Sequence, residues 1–198
     1  MQRTALSALV CLLALAACDQ AIAPKAQYRP ERPGTVDNAM CQLGFTAVPL
    51  REAVTGHHLV DVTLNGRPAA FVLDTGANAS VIHAPFAEQF GLTASRGMSG
   101  AAVGLGGSMS VGQSRLETLR VGSVEVRQGR IATADLSQLV NVLGRLSNRQ
   151  VSGILGQDVM KAHHAVIDVA GPILYLMVDP KRPAPVSAAA CTAPAEAG

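Results

Sequence analysis

Apolar and polar residues alternate over residues 60–64, with Val and Leu at every second position. A hydrophobic period of two predicts a half-buried β-strand. Asn65-Gly66 follows directly, and this dipeptide favours a tight hairpin turn. Residues 68–73 are then mostly apolar and predict a second strand. The pattern therefore predicts a β-hairpin whose second strand leads into Asp74.

Strand-like segments separated by turn residues return from position 96 onward. They lie at Val103 and at residues 109–111, 116–121 and 124–131. Residues 84–90 predict a short helix closed by Gly91, whereas residues 136–150 show no clear period and fit either a helix or a loop. The whole pattern predicts a mostly β domain with one or two short helices over residues 41–179. About 140 residues suffice for one hydrophobic core but not for two, so a single domain is expected.

The N-terminal region has the composition of a targeting segment. Residues 1–17 carry one early charge, Arg3, followed by an apolar run that is too short to cross a bilayer and ends in small residues. These features predict a signal peptide. Residues 18–40 are rich in Pro, Ala, Arg and Gln without an apolar period, so we expect a flexible tether there. The Pro/Ala-rich residues 180–198 predict a disordered tail.

Leu-Ala-Ala-Cys at residues 15–18 resembles the bacterial lipobox. The resemblance implies that signal cleavage leaves Cys18 as an acylated N-terminus, and that several acyl chains hold the protein stably on a membrane. Asp19 follows, and in the lipoproteins that this segment resembles such an Asp tends to keep the product on the inner membrane. The alternative is an ordinary secretory signal with a coincidental Cys.

Composition and charge argue against nucleic-acid binding and against metal binding. The net charge is +2, Trp is absent and only 3% of the residues are aromatic, so no basic and aromatic nucleic-acid surface is expected. The adjacent pairs His57-His58 and His163-His164 each offer at most one inward ligand, because neighbours on a strand face opposite sides. We therefore expect no metal site and no cofactor.

Asp74 occupies an unusual position for a carboxylate, at the end of the apolar run Phe71-Val72-Leu73. A carboxylate that loses water there needs hydrogen bonds, a charged partner or a proton. Thr75 supplies a hydroxyl beside the acid, and Gly76 lets another backbone or a ligand approach closely. The residues alone therefore single out Asp74 as a candidate functional group.

Residues 71–82 resemble the retropepsin-like aspartic proteases, whose hallmark is an apolar strand, Asp-Ser/Thr-Gly and then small residues. The resemblance implies a catalytic motif of Asp74, Thr75 and Gly76, with Ala77 and Asn78 beside it as substrate-binding residues. It also implies a closed β-barrel or sandwich. Retroviral members carry Asp where this chain has Asn78.

Two later segments resemble the same family in the same order. The glycine-rich stretch Gly104-Leu105-Gly106-Gly107 resembles the tip of the flap, a hairpin that closes over substrate, and implies a substrate-binding role for these four residues. On its own the stretch also fits an ordinary flexible hairpin. Residues 153–159 resemble the second hallmark of the family, in which Gly156 lets two strands pass closely. Asp158 is expected to cap a short helix or to bond the backbone at residues 78–80.

The chain contains one Asp-Ser/Thr-Gly motif, whereas the chemistry of this family needs two carboxylates about 3 Å apart that share one proton. The second carboxylate must therefore come from Asp74 of another copy. This implies a homodimer with the active site on its two-fold axis.

These observations predict an aspartic endopeptidase, in the periplasm and anchored to the inner membrane by lipid. It would hydrolyse extended segments of envelope or periplasmic proteins. One alternative is a lipoprotein of the same fold that binds peptide without cutting it, although the intact Asp-Thr-Gly motif argues against this. Another is a purely structural envelope lipoprotein, which has no need of Asp74.

Cys41 and Cys191 flank the predicted domain and remain in the mature chain along with Cys18. Secretion would place them where disulfides persist, and the ends of a compact domain are often close together. We therefore expect an intramolecular bridge between them. Free thiols and a bridge between two protomers remain the alternatives.

Overall fold

A computed structural model describes residues 27–104 and 107–192. Within these residues it contains twelve β-strands and four short α-helices. The strands are β1 (Phe45–Glu52), β2 (His58–Leu64), β3 (Arg67–Leu73), β4 (Val81–His83), β5 (Thr93–Gly104), β6 (Gly107–Arg115), β7 (Leu119–Val121), β8 (Val124–Val126), β9 (Arg130–Ala134), β10 (Val151–Leu155), β11 (Val166–Asp168) and β12 (Ile173–Met177). The helices are α1 (Val36–Gln42), α2 (Ser137–Ser147), α3 (Gln157–Ala162) and α4 (Ala188–Thr192).

The strands form one sheet in the order β11-β12-β1-β2-β3-β10-β4-β9-β6-β5, with β7 pairing β2, and β8 pairing β7. The predicted mostly β class is confirmed. The sheet differs from the expected closed barrel, because over the described residues its two end strands, β11 and β5, each pair with one neighbour. A barrel closes only when the end strands bond to each other.

The hairpin predicted from the alternating pattern is confirmed. Strands β2 and β3 pair antiparallel, from Leu59 opposite Val72 to Leu64 opposite Arg67. Asn65 and Gly66 make the turn with φ angles of 46° and 78°. Positive φ at both positions is what the tightest hairpin turns require.

Strand β3 is packed on both of its faces. Phe71 belongs to the larger core cluster, together with side chains of β1, β2, β4, β7, β8, β10 and β12. Val72 points the other way, into a second cluster that contains Val140 and Leu143 of α2. Successive strand residues face opposite sides, so both surfaces of β3 are buried. The strand that leads to Asp74 is therefore held rigidly.

Some segments take a form that the pattern left open or predicted differently. Residues 136–150 contain helix α2, whose buried residues Val140 and Leu143 lie one turn apart. Residues 84–90 form two 3₁₀ turns rather than a continuous helix. Residues 124–131 are divided between β8 and β9.

The ends of the described chain pack against the domain. Helix α1 lies partly within the segment predicted as a tether, and its Asp37 accepts hydrogen bonds from the buried Tyr175 hydroxyl and from the Arg29 backbone N–H. Burial, with the bond to Asp37, raises the pKa of Tyr175 well above its ordinary value. The last part of the predicted tether is therefore folded onto the sheet.

The C-terminal segment returns to α1. The Val186 backbone N–H donates to the Gln42 carbonyl at 3.1 Å, and α4 packs against α1. Cys41 and Cys191 form a disulfide bond in the structure, with Cα atoms 5.9 Å apart. No helix within residues 27–104 and 107–192 is long and apolar enough to span a bilayer.

Replacing both Cys41 and Cys191 with Ser is expected to lower the free energy of unfolding by about 2–5 kcal/mol. The bridge closes a loop of 150 residues, so its loss raises the conformational entropy of the unfolded chain and thereby stabilises the unfolded state. Urea unfolding of the double variant and of the wild-type chain measures the difference in the free energy of unfolding. Free thiols at both Cys41 and Cys191, located by mass analysis of peptides from the purified chain, or a covalent dimer through these two residues, would contradict the intramolecular bridge.

Candidate active site

The loop that follows β3 holds the Asp74 carboxylate through its own backbone. The Gly76 N–H donates to Asp74 Oδ1 at 2.8 Å, and the Ala77 N–H donates to the Asp74 carbonyl at 3.3 Å. The Asp74 N–H donates to the Leu155 carbonyl of β10 at 3.0 Å. Asp74 is partly buried, and these bonds fix both its backbone and its side chain.

Strand β10 brings the second motif against this loop. It lies between β3, to which it is parallel, and β4, to which it is antiparallel. Two glycines allow the close approach: a Cβ at Gly153 would lie 2.3 Å from the Val81 carbonyl oxygen, and one at Gly156 would lie 2.5 Å from the Ala79 carbonyl oxygen. Both distances are far below van der Waals contact, so a larger residue would force the strands apart.

Gln157 links the start of α3 to the Asp74 loop by two bonds. Its backbone N–H donates to the Ala77 carbonyl at 2.8 Å, and its side-chain Nε2 donates to the Thr75 carbonyl. The loop carbonyls on both sides of Gly76 are therefore anchored to the same residue.

Asp158, in helix α3, bonds the end of the Asp74 loop at Ser80. Its Oδ1 accepts hydrogen bonds from the Ser80 N–H at 2.9 Å, the Ser80 hydroxyl at 2.7 Å and the Val159 N–H at 2.9 Å. The buried Ser80 Oγ in turn accepts a bond from the Gly156 N–H at 3.0 Å. This network joins the two motifs across 78 residues of sequence, and its bonds to a charged acceptor are stronger than neutral ones.

Asp158→Ala is expected to lower the free energy of unfolding by about 2–4 kcal/mol, because it leaves the buried Ser80 groups without their acceptor. Thermal or urea unfolding measures the loss. Asp179→Ala is the matched control, since Asp179 is exposed and its side chain accepts a single bond from Lys181. Equal losses in the two variants would contradict a supporting role for Asp158.

The predicted substrate-binding residues fall into two groups. Thr75, Gly76 and Asn78 are exposed beside Asp74, and Ala77 is partly buried. The flap candidate is a hairpin of β5 and β6 in which Gly104 pairs with Gly107, while Leu105, Gly106 and the lipidation candidate Cys18 lie outside the described residues. Strand β6 lies four strands from β3 along the sheet. The structure thus places Gly156 and Asp158 against the Asp74 loop. The strands of the flap candidate, β5 and β6, lie farther away along the sheet.

The sequence analysis missed three side chains around the site, although the bond from the Ser80 backbone N–H to Asp158 agrees with its prediction for residues 78–80. Gln157 and Ser80 hold the loop as described, and both lie inside motifs that were recognised for other residues. His83, at the end of β4, is buried, and its Nδ1 accepts a bond from the Leu136 N–H at 3.0 Å. This bond positions the start of α2, so His83 has a structural partner. In the sequence, the one signal for His83 is its position directly after residues 71–82, the segment that carries the Asp74 motif.

The adjacent pair His163-His164 also contains a residue with a structural role. His163 Nδ1 lies 2.9 Å from the Met177 carbonyl oxygen. Over residues 27–104 and 107–192 no group of three or more His, Cys, Asp or Glu side chains is arranged to hold a metal ion.

The family model described as aspartyl protease matches residues 60–159, which is about half of the 198 residues. This range contains the Asp74 loop, strands β5 and β6, and the Gly156–Asp158 segment. The chain therefore belongs to the aspartyl protease family. Among curated proteins, none matches the sequence.

Several solved structures resemble the chain at low identity. The EIAV protease in complex with the inhibitor HBY-793 is 21% identical, with a TM-score of 0.41, 55% of this chain covered and 88% of that chain covered. A retropepsin-like aspartic protease from Rickettsia conorii is 19% identical, with a TM-score of 0.44 and coverages of 67% and 98%. The retroviral protease-like domain of Ddi1 from Leishmania major is 21% identical, with a TM-score of 0.44 and coverages of 60% and 86%.

Proposed function

We propose that this protein is a retropepsin-like aspartic endopeptidase that hydrolyses peptide bonds in extended segments of other proteins. The observation that carries the proposal is the held carboxylate of Asp74. It stands at the end of a strand that is packed on both faces, oriented by the Gly76 N–H and surrounded by exposed Thr75, Gly76 and Asn78. A purely structural loop has no need of an acid in that position.

The proposed catalytic unit is a homodimer. The chain carries one Asp-Thr-Gly motif, whereas the mechanism holds a water molecule between two carboxylates. Each of two copies would therefore contribute one Asp74 carboxylate. Like charges that close cannot both be ionised, so the pair would share one proton. Exposed Thr75, held through its carbonyl by Gln157, would meet its counterpart across the two-fold axis.

In this mechanism the ionised Asp74 takes a proton from the water between the two carboxylates. The water oxygen attacks the peptide carbonyl carbon while the protonated Asp74 of the other copy donates to the carbonyl oxygen. Collapse of the tetrahedral species, with a proton passed to the leaving nitrogen, breaks the C–N bond. The same residue type thus acts as general base and general acid.

An extended peptide would suit a site that a β-hairpin can cover, because main-chain groups of the substrate can pair with the strands as in strand addition. We propose that the β5–β6 hairpin closes over such a segment, and that Gly76 and Asn78 bind its main chain. The amide of Asn78 can both donate and accept, whereas an Asp carboxylate only accepts.

The N-terminal sequence supports a location on the periplasmic face of the inner membrane, with Cys18 as the lipid anchor. The lipobox-like residues 15–18 carry this part of the proposal. Residues 19–28 would then separate the anchor from the folded part, because the Arg29 N–H already donates to Asp37 of α1. A stretch of this length reaches at most about 3.5 Å per residue, so the domain would stand within a few nanometres of the lipid surface.

The proposal is tested by incubating the full chain with a pool of unfolded proteins and analysing the new peptide ends by mass spectrometry. New ends that depend on Asp74 support the endopeptidase. Retention of extended peptides without new ends would instead favour the non-catalytic binding protein.

A further inference from the structure

Helix α1 turns polar side chains toward the domain. Asp37 accepts a bond from the buried Tyr175 hydroxyl. Asn38 is 6% exposed, and its side-chain amide donates to the Pro30 carbonyl at 2.7 Å. Gln42 completes this face by donating to Asn38 Oδ1 at 2.7 Å. A helix on the surface of a domain ordinarily buries an apolar face and exposes a polar one, so the two faces of α1 are reversed.

The outward face of α1 is apolar. It carries Val36, Ala39, Met40 and Leu43, whose spacings of three and four place them on one side of a helix. Leu43 caps the helix in the right-handed helical conformation and so continues this side. Val36 is 49% exposed and Leu43 is 51% exposed, Ala39 is exposed and Met40 is partly buried. An apolar stripe two turns long therefore faces away from the domain.

Two further exposed valines border this stripe. The Val186 N–H donates to the carbonyl of the last α1 residue, and Val178 follows Met177, which pairs with Phe45 at the start of β1. With these two, four of the eight exposed large hydrophobic side chains among the described residues lie around one short helix. A cluster of this kind marks an interaction surface, whereas single exposed apolar residues do not. We call the set the α1 surface: Val36, Ala39, Met40, Leu43, Val178 and Val186.

We propose that the α1 surface docks in the interfacial layer of the bilayer that holds the Cys18 anchor. The inference rests on the proposed function, in its part on that lipid anchor. Residues 19–28 are a short link between the anchor and the folded part, and a short link keeps a second contact at an effective concentration of about millimolar. An apolar contact too weak to hold a free protein on lipid is therefore sufficient for an anchored one.

The size and charge of the α1 surface fit lipid better than a protein partner. A stable protein–protein interface takes about 20–30 residues from each side, whereas an interfacial helix buries one apolar face about 5–10 Å into the boundary between headgroups and acyl chains. The exposed charged side chains nearby are of both signs: Arg32, Lys181 and Arg182 against Glu31 and Asp179. Apolar burial rather than charge therefore carries the contact, and neutral lipid should support it.

Docking through the α1 surface leaves Asp74 away from the lipid. Strands β1 and β3 both pair antiparallel with β2, so they run in the same direction. Leu43 and Val178 lie at the start of β1, whereas Asp74 follows the end of β3. Strand β1 has 8 residues at about 3.4 Å each, so these two ends are roughly 25 Å apart along the strands. The proposed active site would thus open toward proteins outside the bilayer.

The test places a single Trp on the α1 surface, because the chain contains none. Leu43→Trp and the control Val54→Trp are made in the full chain and reconstituted on phosphatidylcholine vesicles with brominated acyl chains. Val54 is 76% exposed and lies beyond the other end of β1. Quenching by bromine should be about threefold or more stronger in Leu43→Trp. Adding Val36→Glu to Leu43→Trp should remove this excess, whereas adding Val54→Glu should not. An acid in the first turn is favourable to a helix, so Val36→Glu should leave α1 folded.

Equal quenching in Leu43→Trp and Val54→Trp, or none in a Leu43→Trp chain that floats with the vesicles, would overturn the inference and leave the anchor intact. Emission of Leu43→Trp that is blue-shifted but not quenched would mean that protein covers the surface, and would also overturn it. The mass of Cys18 in the purified chain tests acylation, and cleavage that depends on Asp74 tests the protease, so each part can fail separately. If circular dichroism shows that Leu43→Trp has not folded, Ala39→Trp replaces it, because Ala39 is exposed on the same face.

Discussion

Asp74→Asn is expected to lower the rate of peptide cleavage by about 10³-fold or more while the fold and the binding of peptide persist. Asn has the shape of Asp, and its side-chain oxygen can still accept the bond from the Gly76 N–H that orients Asp74. It cannot take a proton from water at neutral pH, so the step that creates the nucleophile is lost. Initial rates on a quenched peptide substrate measure the change.

Asp179→Asn is the matched control for this experiment, because Asp179 is an exposed acid outside the candidate site. Its cleavage rate should equal that of the unaltered chain. Peptide binding by Asp74→Asn, followed by fluorescence anisotropy, separates a loss of chemistry from a loss of the site. Full activity in the folded Asp74→Asn chain would rule out the aspartic mechanism.

A ninefold excess of Asp74→Asn chain is expected to reduce the cleavage per wild-type chain about tenfold, once subunits have exchanged. A wild-type protomer then meets a wild-type partner about one time in ten, and a mixed dimer has a single carboxylate of the pair. Dilution of the wild-type chain should likewise lower its specific activity as protomers separate.

Inhibition by exchange differs from competition for substrate. Raising the peptide concentration should leave the inhibition by Asp74→Asn chain unchanged, whereas simple competition would be overcome. Specific activity that stays constant down to concentrations where sedimentation shows only monomers would mean that one chain supplies the whole site.

The elements that the sequence predicted are those set by local chemistry. Asn65-Gly66 adopts the positive φ angles that its residue types favour, and the alternation over residues 60–64 gave a strand with the expected buried side chains. The family motifs marked Asp74 and the Gly156–Asp158 segment in the same way. Short-range preferences and motif spacing were sufficient for these features.

Contacts between distant segments could not be predicted in this way. Helix α1 has no apolar period, and the structure holds it through Asp37 bonded to Tyr175 and through the disulfide at Cys41. The parallel pairing of β3 with β10 joins residues about eighty positions apart, and the bond from Gln157 to the Thr75 carbonyl depends on that pairing. Neither segment carries a local signal for its partner.

The bridge between Cys41 and Cys191 makes the folded part of the chain a covalent ring. A single cut anywhere between these residues opens the ring but leaves one covalent molecule, because the two fragments stay joined through the disulfide. Such a nicked chain would run as one species on a denaturing gel until its disulfide is reduced. The bridge also holds α1 and α4, the first and last helices of the described residues, on the same side of the molecule.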